Sequence, residues 1–247
     1  MTPKRLGMIL PSSNTVVEPT CIASCAGLTD ISLHFARFKL TAVTVDDPVA
    51  AYYDSGVILE AAMLLADARC DVITWNGSAG GVVGFPHDRQ LVEDIEHATG
   101  IAATTASLTI IDALRARGVR RLAMVTLNPP AMNETIKRNF AREGFECVFD
   151  THRADIPDNF AMATVAPDNI FKAGLACAES KPDAVIIYGT NTRGAPVVAQ
   201  LEERLGVPVF DSVSAGLWGA MQRAGTSSAD GRKWGSLFND IPPRANS

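Results

Sequence analysis

Short apolar runs alternate along the chain with longer amphipathic stretches. Leu6–Leu10, Asp71–Trp75, Arg121–Thr126, Ala184–Tyr188 and Val207–Phe210 are compact and rich in branched residues, and they predict strands. Ile31, Leu33 and Phe35 alternate with other residues and predict one more strand over Ile31–Phe38. Apolar positions recurring every three to four residues predict helices over Asp54–Ala68, Arg89–Thr99, Thr105–Arg117, Asn133–Glu143, Pro167–Ser180, Ala195–Leu205 and Ser212–Ala224. Strands that each lead into a helix imply an α/β fold of parallel strands covered on both faces. Leu6–Leu10 and Ala184–Ile187 are apolar nearly throughout, as buried parallel strands should be.

The same elements occur twice in the same order. Arg5-Leu6-Gly7-Met8-Ile9-Leu10 is answered by Arg121-Leu122-Ala123-Met124-Val125-Thr126. Asp71-Val72-Ile73, ending in Trp75-Asn76-Gly77-Ser78, is answered by Asp183-Ala184-Val185-Ile186-Ile187, ending in Tyr188-Gly189-Thr190-Asn191. Thr99-Gly100-Ile101 is answered by Leu205-Gly206-Val207. The spacing stays near 105 to 116 positions. Two similar α/β halves follow, each a parallel sheet flanked by helices: residues 1–117, then residues 118–211. The stretch from about 212 to 247 is expected to pack back on the first, and the polar, proline-rich tail 242–247 to fray.

Composition narrows the function. A formal charge of −5, with 47% apolar and 20% charged residues, describes an ordinary globular chain and argues against a general nucleic-acid binder. No apolar run approaches the roughly 18 residues of a membrane span, and the run before Pro11 is too short for a secretory signal, so a cytoplasmic location is expected. Five cysteines at irregular spacing fit reduced thiols, and with no histidine at ligand spacing they give no zinc site. The spacing of Gly77-Ser78-Ala79-Gly80-Gly81 is not that of a dinucleotide loop, and Asn76 spoils a serine-hydrolase elbow around Ser78.

In open parallel sheets ligands bind beyond the carboxyl ends of the strands. Those ends carry Pro11-Ser12-Ser13-Asn14-Thr15, Asn76-Gly77-Ser78, Thr126-Leu127-Asn128 and Gly189-Thr190-Asn191-Thr192. All are uncharged and rich in hydroxyls, amides and glycine. Such turns donate hydrogen bonds to a small anion, although Ser13, Asn14 and Ser78 would serve equally well as helix caps. Pro11, Ser13, Asn14, Asn76, Gly77, Ser78, Asn128, Gly189, Thr190 and Asn191 are therefore the expected carboxylate site. Neutral donors of this kind call for no metal and no organic cofactor.

The run from Leu6 to Pro19, with Pro11-Ser12-Ser13-Asn14-Thr15 at its centre, resembles the opening of the maleate cis–trans isomerase and arylmalonate decarboxylase group of the aspartate/glutamate racemase superfamily. Thr99–Thr105, Gly118–Arg121, Gly189–Arg193, and Leu205–Val209 leading to Leu217-Trp218 extend the likeness over about residues 5 to 225. The resemblance implies two pseudo-symmetric domains clamping a small carboxylic acid or dicarboxylate, cofactor-free isomerase, decarboxylase or lyase chemistry, and a homodimer or higher homo-oligomer. It also implies a cysteine at the end of a central strand in one or both halves. Counted from Asp71 and Asp183 those positions hold Gly77 and Gly189, or with a shift of one residue Asn76 and Tyr188. A tyrosine that touches the substrate carboxylate in relatives corresponds to Asn128. Tyr188 and Asp211 are left as candidate proton carriers, with His87 and Asp88 as loop residues within possible reach. A non-catalytic binder or sensor of small acids is the alternative reading.

Overall fold

The computed structural model describes residues 2–40, 55–226 and 234–238. It contains strands β1 (Lys4–Pro11), β2 (Ile31–Phe38), β3 (Val72–Trp75), β4 (Ala103–Thr105), β5 (Arg121–Val125), β6 (Glu146–Asp150), β7 (Ala184–Ile187) and β8 (Val209–Asp211). The helices are α1 (Val17–Ser24), α2 (Ser55–Asp67), α3 (Gly80–Val83), α4 (Phe85–Thr99), α5 (Ala106–Ala116), α6 (Pro130–Arg142), α7 (Asn159–Met162), α8 (Pro167–Leu175), α9 (Val198–Leu205) and α10 (Ser212–Ala224). Two four-stranded sheets result, ordered β2-β1-β3-β4 and β6-β5-β7-β8, and every described pairing is parallel.

Strand alternation divides the core. In the second sheet Leu122, Met124, Ala184, Ile186 and Tyr188 face α5 and α6, meeting Ile110, Leu114, Ile136 and Phe140. Their neighbours Ala123, Val125, Val185 and Ile187 face the other way, onto Ile170 of α8 and Leu201 of α9. In the first sheet Ile9 and Ile73 meet α2 and α4, while Leu6, Met8, Leu10 and Val72 meet α1 and α10. Helix α10 joins the halves. It starts from β8, lays Val213, Leu217 and Met221 on the first sheet, and gives Ala215 and Trp218 to the core of the second.

The internal repeat has a physical basis. In the first half Asp71 N–H donates to Arg5 O, and Arg5 N–H donates to the Asp71 carboxylate at 2.8 Å. In the second half Asp183 N–H donates to Arg121 O, and Arg121 N–H donates to the Asp183 carboxylate at 2.7 Å. Each pair fixes the register of the central strands, and these backbone hydrogen bonds hold both carboxyl groups below the usual range. Glu96 accepts from Ala103 N–H, and Glu202 from Val209 N–H, so each half ties its last strand to the helix before it in the same way.

Several boundaries differ from expectation. The helix expected from Arg89 begins at Phe85, where Pro86 suits a first helical turn because its missing N–H is not needed there. The last strand begins at Val209, since Pro208 cannot donate to the ladder, and it runs through Asp211. The helix expected to reach Ser180 ends at Leu175, followed by a 3-10 turn at Ala178–Ser180, and α9 is preceded by another at Ala195–Val197. Strands β4 and β6 and the helices α1, α3 and α7 were not anticipated. Asp54 and most of the stretch after Thr226 lie outside the described residues. The 234–238 segment is bound by Arg117 and Glu202, through Ser236, so it touches both halves. No helix among the described residues is long and apolar enough to cross a membrane, and no group of three metal-ligating side chains occurs among them.

Asp71→Ala and Asp183→Ala should each lower stability by about 1–3 kcal/mol, because two strands lose a charge-assisted backbone bond. Urea unfolding of both variants, with an unchanged slope, checks this.

Candidate active site

The carboxyl ends of the strands in the two halves face each other across a cleft with about 450 Å³ of free space, part of it open to solvent. Pro11, Asn14, Gly77 and Ser78 come from the first half, and Asn128, Gly189, Thr190 and Asn191 from the second. Eight of the ten expected binding residues thus line one cavity. Leu40, Trp75, Asn159 and Met162 complete the wall. Leu40 and Trp75 were within reach of the rule that ligands gather at strand ends. Asn159 and Met162 were not, because the stretch after β6 carries no periodic signal.

Two expected binding residues are not on the wall. Ser13 Oγ donates to Leu40 O at 2.7 Å and accepts from Asn159 Nδ2 at 2.9 Å, which braces the rim. Asn76 is fully buried behind the wall, against Met8 Sδ, and a side chain at Gly216 would strike its amide. Asn14 does line the cleft, but its side chain is spent. Its Nδ2 donates to Thr190 O across the halves at 3.0 Å, and its Oδ1 accepts from the N–H groups of Val16 and Val17. Asn191 Oδ1 returns the link by accepting from Thr15 N–H at 3.0 Å, and Asn191 Nδ2 donates to Asn159 O.

The donors left over belong to the backbone. Among the described residues, the N–H groups of Gly77, Ser78, Thr190 and Asn191 have no hydrogen-bond partner. All four residues line the cleft. Asn128 also presents an amide with no side-chain partner among those residues. The backbone at Gly189 has φ +144°, a conformation that a side chain would strain, and a Cβ there would stand 2.9 Å from Thr192 Oγ1. Position 189 is built for glycine.

The two proposed proton carriers sit elsewhere. Tyr188 is 1% exposed and points into the core. Its hydroxyl donates to Ser78 O at 2.9 Å, accepts from Gly81 N–H at 2.8 Å and contacts Ser107 Oγ at 2.9 Å. It therefore pins the 78–81 turn from behind. Asp211 is buried and caps α10, accepting from the N–H groups of Val213 and Ser214 at 3.0 Å. Burial pushes its carboxyl up to about 7. Asp88 is likewise buried, against Gly80, and pushed up to about 7 by desolvation, with Thr105 Oγ1 donating to it. His87 is not on the cleft wall. None of the five cysteines lines the cleft, and burial is the leading cause that raises every thiol, Cys25, Cys70 and Cys147 to about 11. No titratable side chain lines the cleft among the described residues.

A protein-family model described as arylmalonate decarboxylase matches residues 6–238. The chain belongs to the arylmalonate decarboxylase family. This family member is 25% identical over 230 residues to a maleate isomerase of Nocardia farcinica, covering 89% of each chain. It is 29% identical over 159 residues to an arylmalonate decarboxylase of Bordetella bronchiseptica, covering 64% of this chain and 66% of that one. A liganded arylmalonate decarboxylase variant, with one glycine changed to cysteine and one cysteine to serine, superposes with a TM-score of 0.83 at 25% identity, over 97% of this chain and all of that one. The Nocardia farcinica isomerase trapped with a covalent succinylcysteine intermediate shares the fold, with a TM-score of 0.84 at 21% identity, over 96% of this chain and 99% of that one.

Two predictions follow from the buried polar groups. Asn14→Ala leaves Thr190 O and two helix N–H groups without their partner and should cost about 1–3 kcal/mol, read by chemical unfolding. Asp211 ionises near 3.8 when unfolded and near 7 when folded, so its proton favours the folded state at low pH. That contribution is complete below about pH 4 and is lost as pH rises towards 7. Asp211→Asn keeps a capping oxygen but cannot titrate, so its stability relative to the parent should climb between pH 4 and pH 7. A pH-independent difference in melting temperature would contradict a raised folded-state pKa.

Proposed function

We propose that this protein is a cofactor-independent enzyme of small carboxylic acids, and that loss of carbon dioxide from a malonate-type acid is the reaction its cleft suits best. The observation that carries this reading is the set of unpartnered backbone N–H groups on cleft-lining residues of both halves, at Gly77, Ser78, Thr190 and Asn191. Donors fixed in place stabilise negative charge as it develops, without reorganising during the reaction.

The reading separates the chemistries of the relatives. Isomerisation by thiol addition needs a nucleophile on the wall, and racemisation needs a base. Decarboxylation needs neither for its first step. The bond between the α-carbon and one carboxylate breaks, carbon dioxide leaves, and the bonding pair passes into the retained carboxylate as an enediolate. The four N–H groups and Asn128 stabilise that dianion. The α-carbon then takes a proton from water, leaving the monocarboxylate in the cleft and hydroxide that passes to solvent. Pro11, Leu40, Trp75 and Met162 supply an apolar flank, which suits an acid with an apolar substituent on that carbon. No cysteine takes part in this scheme.

A second reading is a non-catalytic binder, favoured by the lack of a titratable side chain on the described wall. Phenylmalonate labelled with ¹³C in both carboxyl groups, incubated in deuterated water and followed by NMR, separates the two. The enzyme reading expects labelled carbon dioxide and phenylacetate with deuterium on its α-carbon, with Asn128→Ala slowing turnover by about 100-fold or more. Saturable binding of phenylmalonate and maleate without product would leave the binder. An absence of binding would remove both readings.

A further inference from the structure

Trp75 ends β3 and lines the cleft beside Gly77. Its indole is 1% exposed and is held by Phe38, with ring centroids 5.2 Å apart and planes tilted by 53°. A Cβ built on Gly77 would stand 2.2 Å from Cζ2 and 2.3 Å from Cε2 of that indole. The ring therefore fills the volume into which any side chain at position 77 would extend. Cε2 is the ring carbon bonded to Nε1. That nitrogen is shielded from water and has no hydrogen-bond partner among the described residues.

Buried donors are normally matched, and one left unmatched beside a ligand cavity points to an acceptor supplied by the ligand. The N–H groups of Gly77 and Ser78, on the same wall of the cleft, are unmatched too. Thr74 Oγ1 and Asn76 Oδ1 also lack partners, but neither residue is on the wall.

We propose that Trp75 determines specificity in this cleft: its ring takes the place of a side chain at position 77, and its Nε1–H donates to an oxygen of the bound acid. The proposal deepens the small-acid reading above and rests on it. Two consequences are separable. Removing the donor alone weakens every acid. Removing the ring opens room beside Gly77 and favours bulkier acids.

The experiment uses the intact ¹⁵N-labelled protein, titrated with maleate and with phenylmalonate. Calorimetry reads affinity, and the indole N–H resonances of Trp75, Trp218 and Trp234 are assigned by substitution. The proposal expects the Trp75 indole proton to move downfield to saturation with the acid, while the other two hold still. Trp75→Phe should weaken both acids by about tenfold. Trp75→Leu should shift the ratio of affinities towards phenylmalonate by about tenfold. Acid binding with an unmoved Trp75 resonance would overturn the proposal and leave the small-acid reading standing. So would parental affinities and selectivity in both folded variants. Should either variant fail to fold by circular dichroism, the resonance in the parent protein decides. If neither acid binds the parent, the small-acid reading falls and takes this proposal with it.

Discussion

The two halves meet through amide side chains that hydrogen-bond to backbone, and the cleft depends on that exchange. Asn14 reaches from the first half to Thr190 O, and Asn191 reaches from the second to Thr15 N–H. Tyr188 adds a third crossing, anchoring Ser78 O and Gly81 N–H from the opposite sheet. A peptide unit points its C=O and N–H in opposite directions. The bond from Asn14 to Thr190 O therefore fixes the peptide that carries the unpartnered Asn191 N–H. The side chains nearest the cleft act mainly on the backbone, and the backbone supplies the donors.

This division of labour sets what the sequence could reveal. The turns at Pro11–Asn14, Gly77-Ser78, Asn128 and Gly189–Asn191 announce themselves, because small uncharged residues at four strand ends are unusual and the repeat aligns them. The roles of individual side chains are less legible. Tyr188 follows Ala184 and Ile186 on one face of β7, so alternation alone turns its ring towards α5 and α6 and away from the cleft. Asp211 precedes a helix, and capping and catalysis both suit an aspartate there; its bonds to Val213 and Ser214 give it the cap.

Legibility of the fold followed burial. β1, β3, β5 and β7 are central, nearly all buried, and stand out as continuous apolar runs. β6 is an edge strand with no fully buried residue, and Glu146-Cys147-Val148-Phe149-Asp150 gives no clean alternation. β4 is only three residues long, Ala103-Thr104-Thr105, and merges into the cap of α5, where Thr105 accepts from Leu108 N–H. α1 was obscured by Pro19 and by its weak amphipathic pattern, with Val17 and Cys21 its only buried residues. Asn159 and Met162 reach the cleft through α7, a single turn started by the Asp158 cap. Local chemistry of that kind marks a turn but does not say which surface the turn will face.

A cleft of neutral donors treats charge differently from one built on lysine or histidine. Backbone N–H groups cannot lose a proton, so their hold on an anion does not change over the pH range in which the acid itself stays ionised. Their advantage grows with the charge on the oxygens they face, which is the differential stabilisation that accelerates a reaction. The two carboxyl groups buried among the described residues are consistent with that arrangement. Asp88 lies under Gly80 and Asp211 lies beside Gly194, both fully buried and both pushed towards the neutral form. Ionised, either would oppose an anion in the cleft across a poorly screened interior. Burial keeps them from doing so over the acidic half of the pH scale, and fixed dipoles are left as the principal field that a carboxylate in the cleft would meet.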